Sequence, residues 1–323
     1  MSLEWLAERL GQIGGIVTER SVPSASLCTY RVGGPLALLA TVDDPAALDE
    51  FVEAVAHANV ATLPIGKGSN LLVADAGFDG VAIKFGDAFN HLEINGNLVT
   101  ARAGIALPVA ARATVAASLT GFEWAVGVPG SMGGAVRMNA GGHGSDMAAS
   151  LVDVTVADLH EGVVTTWPVE HLDLGYRHSN LGLHQLVTQV TLELQYADVG
   201  HGGASELKEI VSWRRANQPG GANAGSVFTN PPGDSAGRLI DAAGLKGMRI
   251  GTAVISEKHA NFIQADPDGR ADDVILLMAE VVDRVRDAFG VELHGETRLI
   301  GFEKELVDHV QASTTSEGDL PHG

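Results

Sequence analysis

Short apolar runs and amphipathic stretches follow one another along the first half of the chain. "LALLATV" (residues 36–42) is a continuous apolar run and predicts a buried strand. Asp44 and Pro45 then supply a cap and a first-turn proline, and Leu48, Phe51, Val52 and Val55 follow at helical spacing. "ATLPI" and "VAIKF" predict further short strands. "HLEINGNLVTARAG", from residue 91, alternates on both sides of Asn95-Gly96, which predicts a hairpin. "LPVAARATVAASL" carries a proline near its start and reads as a helix. "LVDVTVADL", "VVTTW" and "LVTQVTLELQ" predict three more strands. Without regular strand–helix alternation, this half reads as mixed α+β and not as a doubly wound sheet.

The polar stretch "YADVGHGGAS" marks a boundary. Beyond it "ELKEIVSWRRANQ" predicts a helix, and "TAVIS" and "NFIQA" predict short strands. "DDVILLMAEVVDRVRDAF" carries Val274, Met278, Val281, Val282, Val285 and Phe289 along one stripe, the pattern of a core-facing helix. "ETRLIGF" reads as a last strand. The tail from 303, ending "ASTTSEGDLPHG", has the composition of disorder. No internal repeat is evident.

Composition narrows the class. With 323 residues, 45% hydrophobic and 19% charged, the chain can bury a large core. No apolar run reaches bilayer length, so no membrane association is expected. "MSLEWLAERLGQIGG" predicts an amphipathic helix and lacks the features of a signal peptide, which implies a cytoplasmic protein. The single cysteine, Cys28, excludes an intramolecular disulfide and any cysteine-based zinc site, and the histidines show no metal-binding spacing, so no metal is expected. A net charge of −19 argues against nucleic acid as a partner. It leaves room for an anionic small molecule where basic residues converge.

The forty glycines cluster, and two loops stand out: "IGKGSNLLV" (65–73) and "GVPGSMGGAVRMNAGGHG" (127–144). The first has Leu71 where a dinucleotide fingerprint needs its third glycine. The second has Pro129 where a serine-hydrolase elbow needs glycine. Runs of small residues expose backbone N–H groups, and a diphosphate can accept them. One such loop reads as an ordinary turn; two in one chain favour a ligand.

"YRVGGPLALLATVDDPAALDEFV", "IGKGSNLLV", "GVPGSMGGAVRMNAG", "LGYRHSNL", "AGSVFTNPPGDSAGRLIDAAGLKG", "SEKHANFI" and "HGETRLIGF" occur in an order that resembles the UDP-N-acetylenolpyruvoylglucosamine reductase (MurB) family, in its shorter subtype, over roughly residues 30–302. The resemblance implies an α+β fold: an FAD-binding domain of the p-cresol methylhydroxylase/vanillyl-alcohol oxidase type in two subdomains, plus a C-terminal α+β substrate-binding domain. Residues 1–30 would be an N-terminal helix and lead-in, and 31–200 the FAD domain, with subdomains at about 31–86 and 87–200. Residues 201–302 would bind substrate, the last strand returning to the FAD domain, and 303–323 would be a disordered tail.

The resemblance also implies non-covalent FAD, NADPH as hydride donor, UDP-N-acetylglucosamine enolpyruvate as substrate, and a monomer. Flavin contacts would come from Gly66, Lys67, Gly68, Ser69, Asn70 and Leu71 in the first loop. In the second they would come from Gly127, Pro129, Gly130, Ser131, Gly133, Gly134, Asn139 and Gly141. Arg177, in "GYRHS", matches the family's carboxylate-holding arginine, and Ser226, in "AGSVF", its proton donor to C2. Glu296, in "HGETR", matches the glutamate that supports the intermediate. Read alone, Ser226 is a turn serine and Arg177 and Glu296 are solvated charges.

Arg214, Asn230 and Lys246 are candidates to hold the substrate. Thr229 stands where the family commonly has lysine, and Asn217 where it often has a basic residue. Arg137 is unusual in the second loop and could pair with a phosphate or a surface acid. A covalent-flavin oxidase is the rival reading; it would tether the cofactor through His143 or Cys28. A non-enzymatic flavin or UDP-sugar binder would not need Ser226, Arg177 and Glu296 intact.

Overall fold

The computed structural model describes residues 1–198, 200 and 202–311. Two units separate by their contacts. The first comprises Met1–Arg20, Leu38–Lys67 and Gly80–Arg214; the second comprises Ser21–Ala37, Gly68–Asp79 and the chain from Arg215 onward.

The first unit is organised by a five-stranded antiparallel sheet in the order Val163–Pro168, Leu151–Asp158, Gln185–Glu193, Leu98–Arg102, Leu92–Asn95. Val154, Val156, Val190, Leu192, Val99 and Ala101 alternate onto its buried face, as half-buried strands require. The hairpin forms, with its two-residue turn one position later than Asn95-Gly96 suggests. Asn95 pairs with Leu98, leaving Gly96 and Asn97 as the loop, and Gly96 takes the left-handed φ of 63°.

A second sheet runs Ile16–Pro23, Pro35–Val42, Phe78–Phe85, Thr62–Pro64. Over it the helix Leu48–Ala58 buries Phe51, Val52 and Val55 in a core shared with Leu6 and Leu10 of the N-terminal helix Leu3–Leu10. Asp44 caps as expected, its Oδ1 accepting the Ala46 N–H at 2.9 Å.

In the second unit the helix Ala271–Phe289 buries Val274, Ile275, Met278, Val281, Val282 and Val285 against the antiparallel strands Arg249–Ile250, Ala253–Ile255 and Ile263–Ala265 and the helix Ala236–Ala242. Phe289, placed on the buried stripe by sequence, is 41% exposed, because the helix ends there before Gly290 turns left-handed at φ 67°. Asp75 Oδ1 accepts the Ala271 N–H at the helix start, and Asp272 accepts the Asp75 N–H in return. The strand Arg298–Ile300 pairs in parallel with Leu71–Val73.

The disorder expected from 303 fails over Lys304–Val310, which is a helix. Val310 is fully buried, its C=O accepts the Gly295 N–H at 2.8 Å, and Gln311 Nε2 donates to Thr297 O. Residues 312–323 lie outside the described residues. No described helix is long and apolar enough to cross a membrane.

Candidate active site

The first glycine loop leaves its strand as Ile65 N–H donates to Ile83 O. A Cβ on Gly66 would lie 2.3 Å from Ser131 Oγ, so the two glycine loops touch at this point. Gly68 is left-handed (φ 61°), and a Cβ there would lie 2.0 Å from Leu27 O. The Gly68 carbonyl accepts both N–H and Oγ1–H of Thr29. Asn70 is stapled to the far end of the chain: its Nδ2 donates to Glu296 O at 3.0 Å and its carbonyl accepts the Arg298 N–H at 3.0 Å. Ser69 is half-buried, and Leu71 is buried as the first residue of its strand.

In the second loop, Leu107 N–H donates to Gly130 O and Met132 N–H to Ile105 O, bracketing Ser131. Ser131 Oγ caps the short helix Met132–Arg137 by accepting the Gly134 N–H. Gly133 is small because Ala103 Cβ would stand 2.9 Å from its own. Protein atoms likewise fill the space beside Gly127 (Ile210 Cγ2, 2.8 Å) and Gly141 (Ser145 O, 2.5 Å). Close approach by protein backbone and side chains, not by a ligand, therefore explains several of these glycines.

The donors nevertheless suit an anion. Among the described residues, the backbone N–H groups of Gly66, Lys67 and Gly68, and of Gly130 and Ser131, have no acceptor. Gly66 and Lys67 are exposed. Uncommitted N–H groups on two loops, one pair in contact through Gly66 and Ser131, fit a dinucleotide diphosphate.

Arg177 sits with the second loop. Gly175 and His178 exchange backbone hydrogen bonds at 3.0 and 3.1 Å, forming a tight turn that presents Tyr176 and Arg177. Arg177 is left-handed (φ 56°), an arrangement that costs about 1–2 kcal/mol in a side-chain-bearing residue. Its Nη2 donates to Gly141 O at 2.9 Å, and its guanidinium lies 5.3 Å from the centre of the exposed Tyr176 ring. Asn139 holds this arrangement from below. It is 2% exposed, donates to Gly175 O (2.8 Å) and Asp146 Oδ2 (3.2 Å), and accepts the Ala148 N–H (3.0 Å). Its side chain thus has a structural role beside the flavin contact expected for it, and the Arg137 guanidinium has one as well. That guanidinium donates to the backbone carbonyls of Leu181, Gly182 and Gln185.

Ser226 and Glu296 belong to the second unit, on neighbouring backbone. Glu296 N–H donates to Val227 O at 2.7 Å, and Thr229 N–H to His294 O at 3.0 Å. On the opposite edge Asn261 takes over. Its Oδ1 accepts the Phe228 N–H (2.9 Å), its Nδ2 donates to Phe228 O (2.8 Å), and its own carbonyl accepts the Val227 N–H (2.9 Å). The segment after Ser226 is therefore held on both edges, while Ser226 itself is exposed. Residue-by-residue reading missed Asn261. The signal was an asparagine in "HANFI" whose neighbours, Ala260 and Phe262, are buried.

The substrate candidates have internal partners. Arg214 donates to Gly127 O at 2.9 Å, and burial holds its guanidinium below its ordinary pKa. Asn230 Oδ1 accepts the Ala236 N–H, and Lys246 is ion-paired with Asp241 at 2.7 Å. Thr229 Oγ1 reaches His294 O. Cys28 is buried, and burial raises its thiol pKa, so it is a poor thiolate for a covalent tether. His143 packs edge-on against Trp213. Among the described residues no group of three or more His, Cys, Asp or Glu could hold a metal ion.

Fold and loops together define an α+β flavoprotein. Residues 36–166 match the FAD binding domain model, and residues 217–300 match that of the UDP-N-acetylenolpyruvoylglucosamine reductase C-terminal domain. The UDP-N-acetylenolpyruvoylglucosamine reductase of Heliobacterium modesticaldum is 42% identical over 289 residues, covering 88% of this chain and 91% of that one. Its counterpart in Bacillus subtilis is 35% identical over 302 residues, covering 93% and 98%. The crystal structure of the Thermus caldophilus reductase superposes with a TM-score of 0.76 at 36% identity, covering 88% of this chain and 99% of that one. The chain belongs to the UDP-N-acetylenolpyruvoylglucosamine reductase family.

Proposed function

We propose that this protein reduces UDP-N-acetylglucosamine enolpyruvate to UDP-N-acetylmuramate with NADPH, a step in making peptidoglycan precursors. The observation that carries the reading is the segment following Ser226, held between Asn261 and Gly295–Glu296, which fixes a hydroxyl and a carboxylate on adjoining backbone. The uncommitted N–H groups of the glycine loops would hold the FAD diphosphate. Bound FAD supplies hydride transfer, from NADPH to C3 of the enolpyruvyl group.

The residues of the chain handle the charge and the proton. Addition at C3 places negative charge on C2 and its carboxylate, and that charge needs a fixed cation where it develops. Arg177, permanently charged and planar, holds the carboxylate with paired hydrogen bonds. Ser226 Oγ–H delivers the proton to C2. A hydroxyl can do so because a carbanionic C2 is strongly basic and the backbone that follows the serine is hydrogen-bonded on both edges. No histidine is needed, since the serine acts as an acid and not as a nucleophile. Glu296, on the adjoining backbone, assists in stabilising or protonating the intermediate. Residues 201–302 supply the substrate-binding domain.

The test is NADPH consumption, followed by its near-ultraviolet absorbance, by the purified yellow protein with and without the enolpyruvyl substrate. Ser226→Ala should lose turnover while NADPH still bleaches its flavin. Flavin reduction in the wild type without turnover of this substrate overturns the assignment.

A further inference from the structure

The Arg177 turn is the tip of a loop closed at its base. Asn180 N–H donates to Leu172 O at 2.9 Å, and Asn180 Nδ2 to His171 O at 2.8 Å. The outgoing leg, residues 179–185, runs to the strand Gln185–Glu193 with its carbonyls turned to one side chain. Arg137 Nη1 donates to Leu181 O at 2.9 Å, and Nη2 to Gly182 O at 2.8 Å and to Gln185 O. In return Ser179 Oγ–H donates to Arg137 O at 2.6 Å. Ser179 is 7% exposed and Leu181 4%, so these groups have little access to water as a substitute partner.

We infer that Arg137 is a positioning residue for Arg177: it holds the leg of the loop whose tip presents the carboxylate-binding guanidinium. The inference rests on the role proposed for Arg177. Three acceptors lie around one planar fork, a geometry that a lysine ammonium on a flexible stem does not reproduce. The tip is left-handed at Arg177, a conformation its side chain disfavours, so the two Gly175–His178 hydrogen bonds that close the turn need support from outside it. It persists because its surroundings hold it, Asn139 from the Gly175 side and Arg137 through Ser179 and the outgoing leg.

The experiment compares Arg137→Ala, Arg137→Lys, Arg177→Ala and the double variant Arg137→Ala/Arg177→Ala as yellow holoenzymes. Three quantities are read: the rate of flavin reduction by NADPH, kcat/KM for the enolpyruvyl substrate, and binding of UDP-N-acetylmuramate from the change in flavin absorbance. Arg137→Ala should lower kcat/KM by about tenfold to a hundredfold, as displacement of a substrate-holding group by about 1 Å does. It should weaken product binding in step and leave flavin reduction within about twofold of wild type. Arg137→Lys should fall between, which keeps the test open if the alanine variant does not fold. The double variant should be no worse than Arg177→Ala, because the two side chains act as one device. Equal losses in flavin reduction and substrate turnover, or a double variant whose losses multiply, overturn the inference. An active Arg177→Ala refutes the assignment of Arg177 itself, and the inference falls with it.

Discussion

Replacing Asn261 with alanine tests how the chain fixes Ser226. Phe228 is 2% exposed and Asn261 4%, and the backbone N–H and C=O of Phe228 both bond to the Asn261 side chain. Its neighbours Val227 and Thr229 turn a carbonyl and an N–H the other way, to Glu296 and His294, so neither can substitute. Asn261→Ala therefore leaves one buried donor and one buried acceptor without partners. Each orphan costs about 1–3 kcal/mol; with partial relaxation the loss should be about 3 kcal/mol. Asn261→Asp keeps the acceptor for the Phe228 N–H but sets a carboxylate oxygen against the Phe228 carbonyl, and it should be no milder. Denaturant unfolding of the holoprotein measures the stability. Rapid mixing of reduced protein with substrate measures proton delivery, which should slow more than NADPH-driven flavin reduction. If Asn261→Ala stays within about 1 kcal/mol of wild type, or loses stability with unchanged reoxidation by substrate, the clamp does not govern Ser226.

His259 Nδ1 accepts the Asn261 N–H at 3.2 Å, and burial, followed by the Lys246 charge, holds this imidazole below its ordinary value of 6.5. The unfolded chain then binds the proton more readily, so this contribution to stability is whole above about pH 6.5 and declines as pH falls below it. His259→Gln should flatten that decline in unfolding midpoints measured from neutral to mildly acidic pH; an unchanged slope refutes it. Asp234, held at about 2 by its hydrogen bond from Arg238, adds a contribution present above about pH 4 and lost as pH falls toward 2. Arg238→Ala should remove that acid-side dependence, read by the same titration. Tyr30 is fully buried, its hydroxyl has no hydrogen-bond partner of ordinary geometry among the described residues, and burial, only partly offset by the Thr297 hydroxyl, raises its pKa far above the ordinary range. Tyr30→Phe should thus be neutral or stabilising by about 1 kcal/mol, and a clear fall in Tm would show an unrecognised partner. Val310→Ala should cost about 2 kcal/mol from the lost burial, where an unstructured tail would cost nothing.

Elements whose signal is local were legible in the sequence. The apolar run of Pro35–Val42, the helix Leu48–Ala58 with the Asp44-capped turn Pro45–Ala47 before it, and the stripe of Ala271–Phe289 each carry their instructions within a few residues. The one-residue shift of the hairpin turn, from Asn95-Gly96 to Gly96-Asn97, shows the limit of that reading. Register follows from pairing across both strands, and Asn95 opposite Leu98 satisfies the sheet better than Asn95 in the turn. The helix Lys304–Val310 was hidden for a related reason. "KELVDHV" is short and half charged, and only the pocket for Val310 and the Gly295 hydrogen bond select it.

The candidate site was legible in part, and its components divide by mechanism. Clustered glycine singled out the two loops, yet at Gly68, Gly127, Gly133 and Gly141 the missing side chain makes room for protein, and the groups suited to an anion are backbone N–H groups that no residue letter displays. Ser226 looks like any turn serine, because what distinguishes it is pairing among residues 227–229, 261 and 294–296, which lie far apart in sequence. Arg137 and Asn261 follow the same logic. An arginine that bonds three carbonyls and an asparagine that bonds one residue's N–H and C=O have no spacing in the sequence to betray them. The folded backbone supplies these partners. The groups assigned to chemistry are accordingly few and exposed or half-buried. The residues that hold them in place are polar side chains spent on main-chain hydrogen bonds, and substitutions there should alter the substrate half of the reaction before the flavin half.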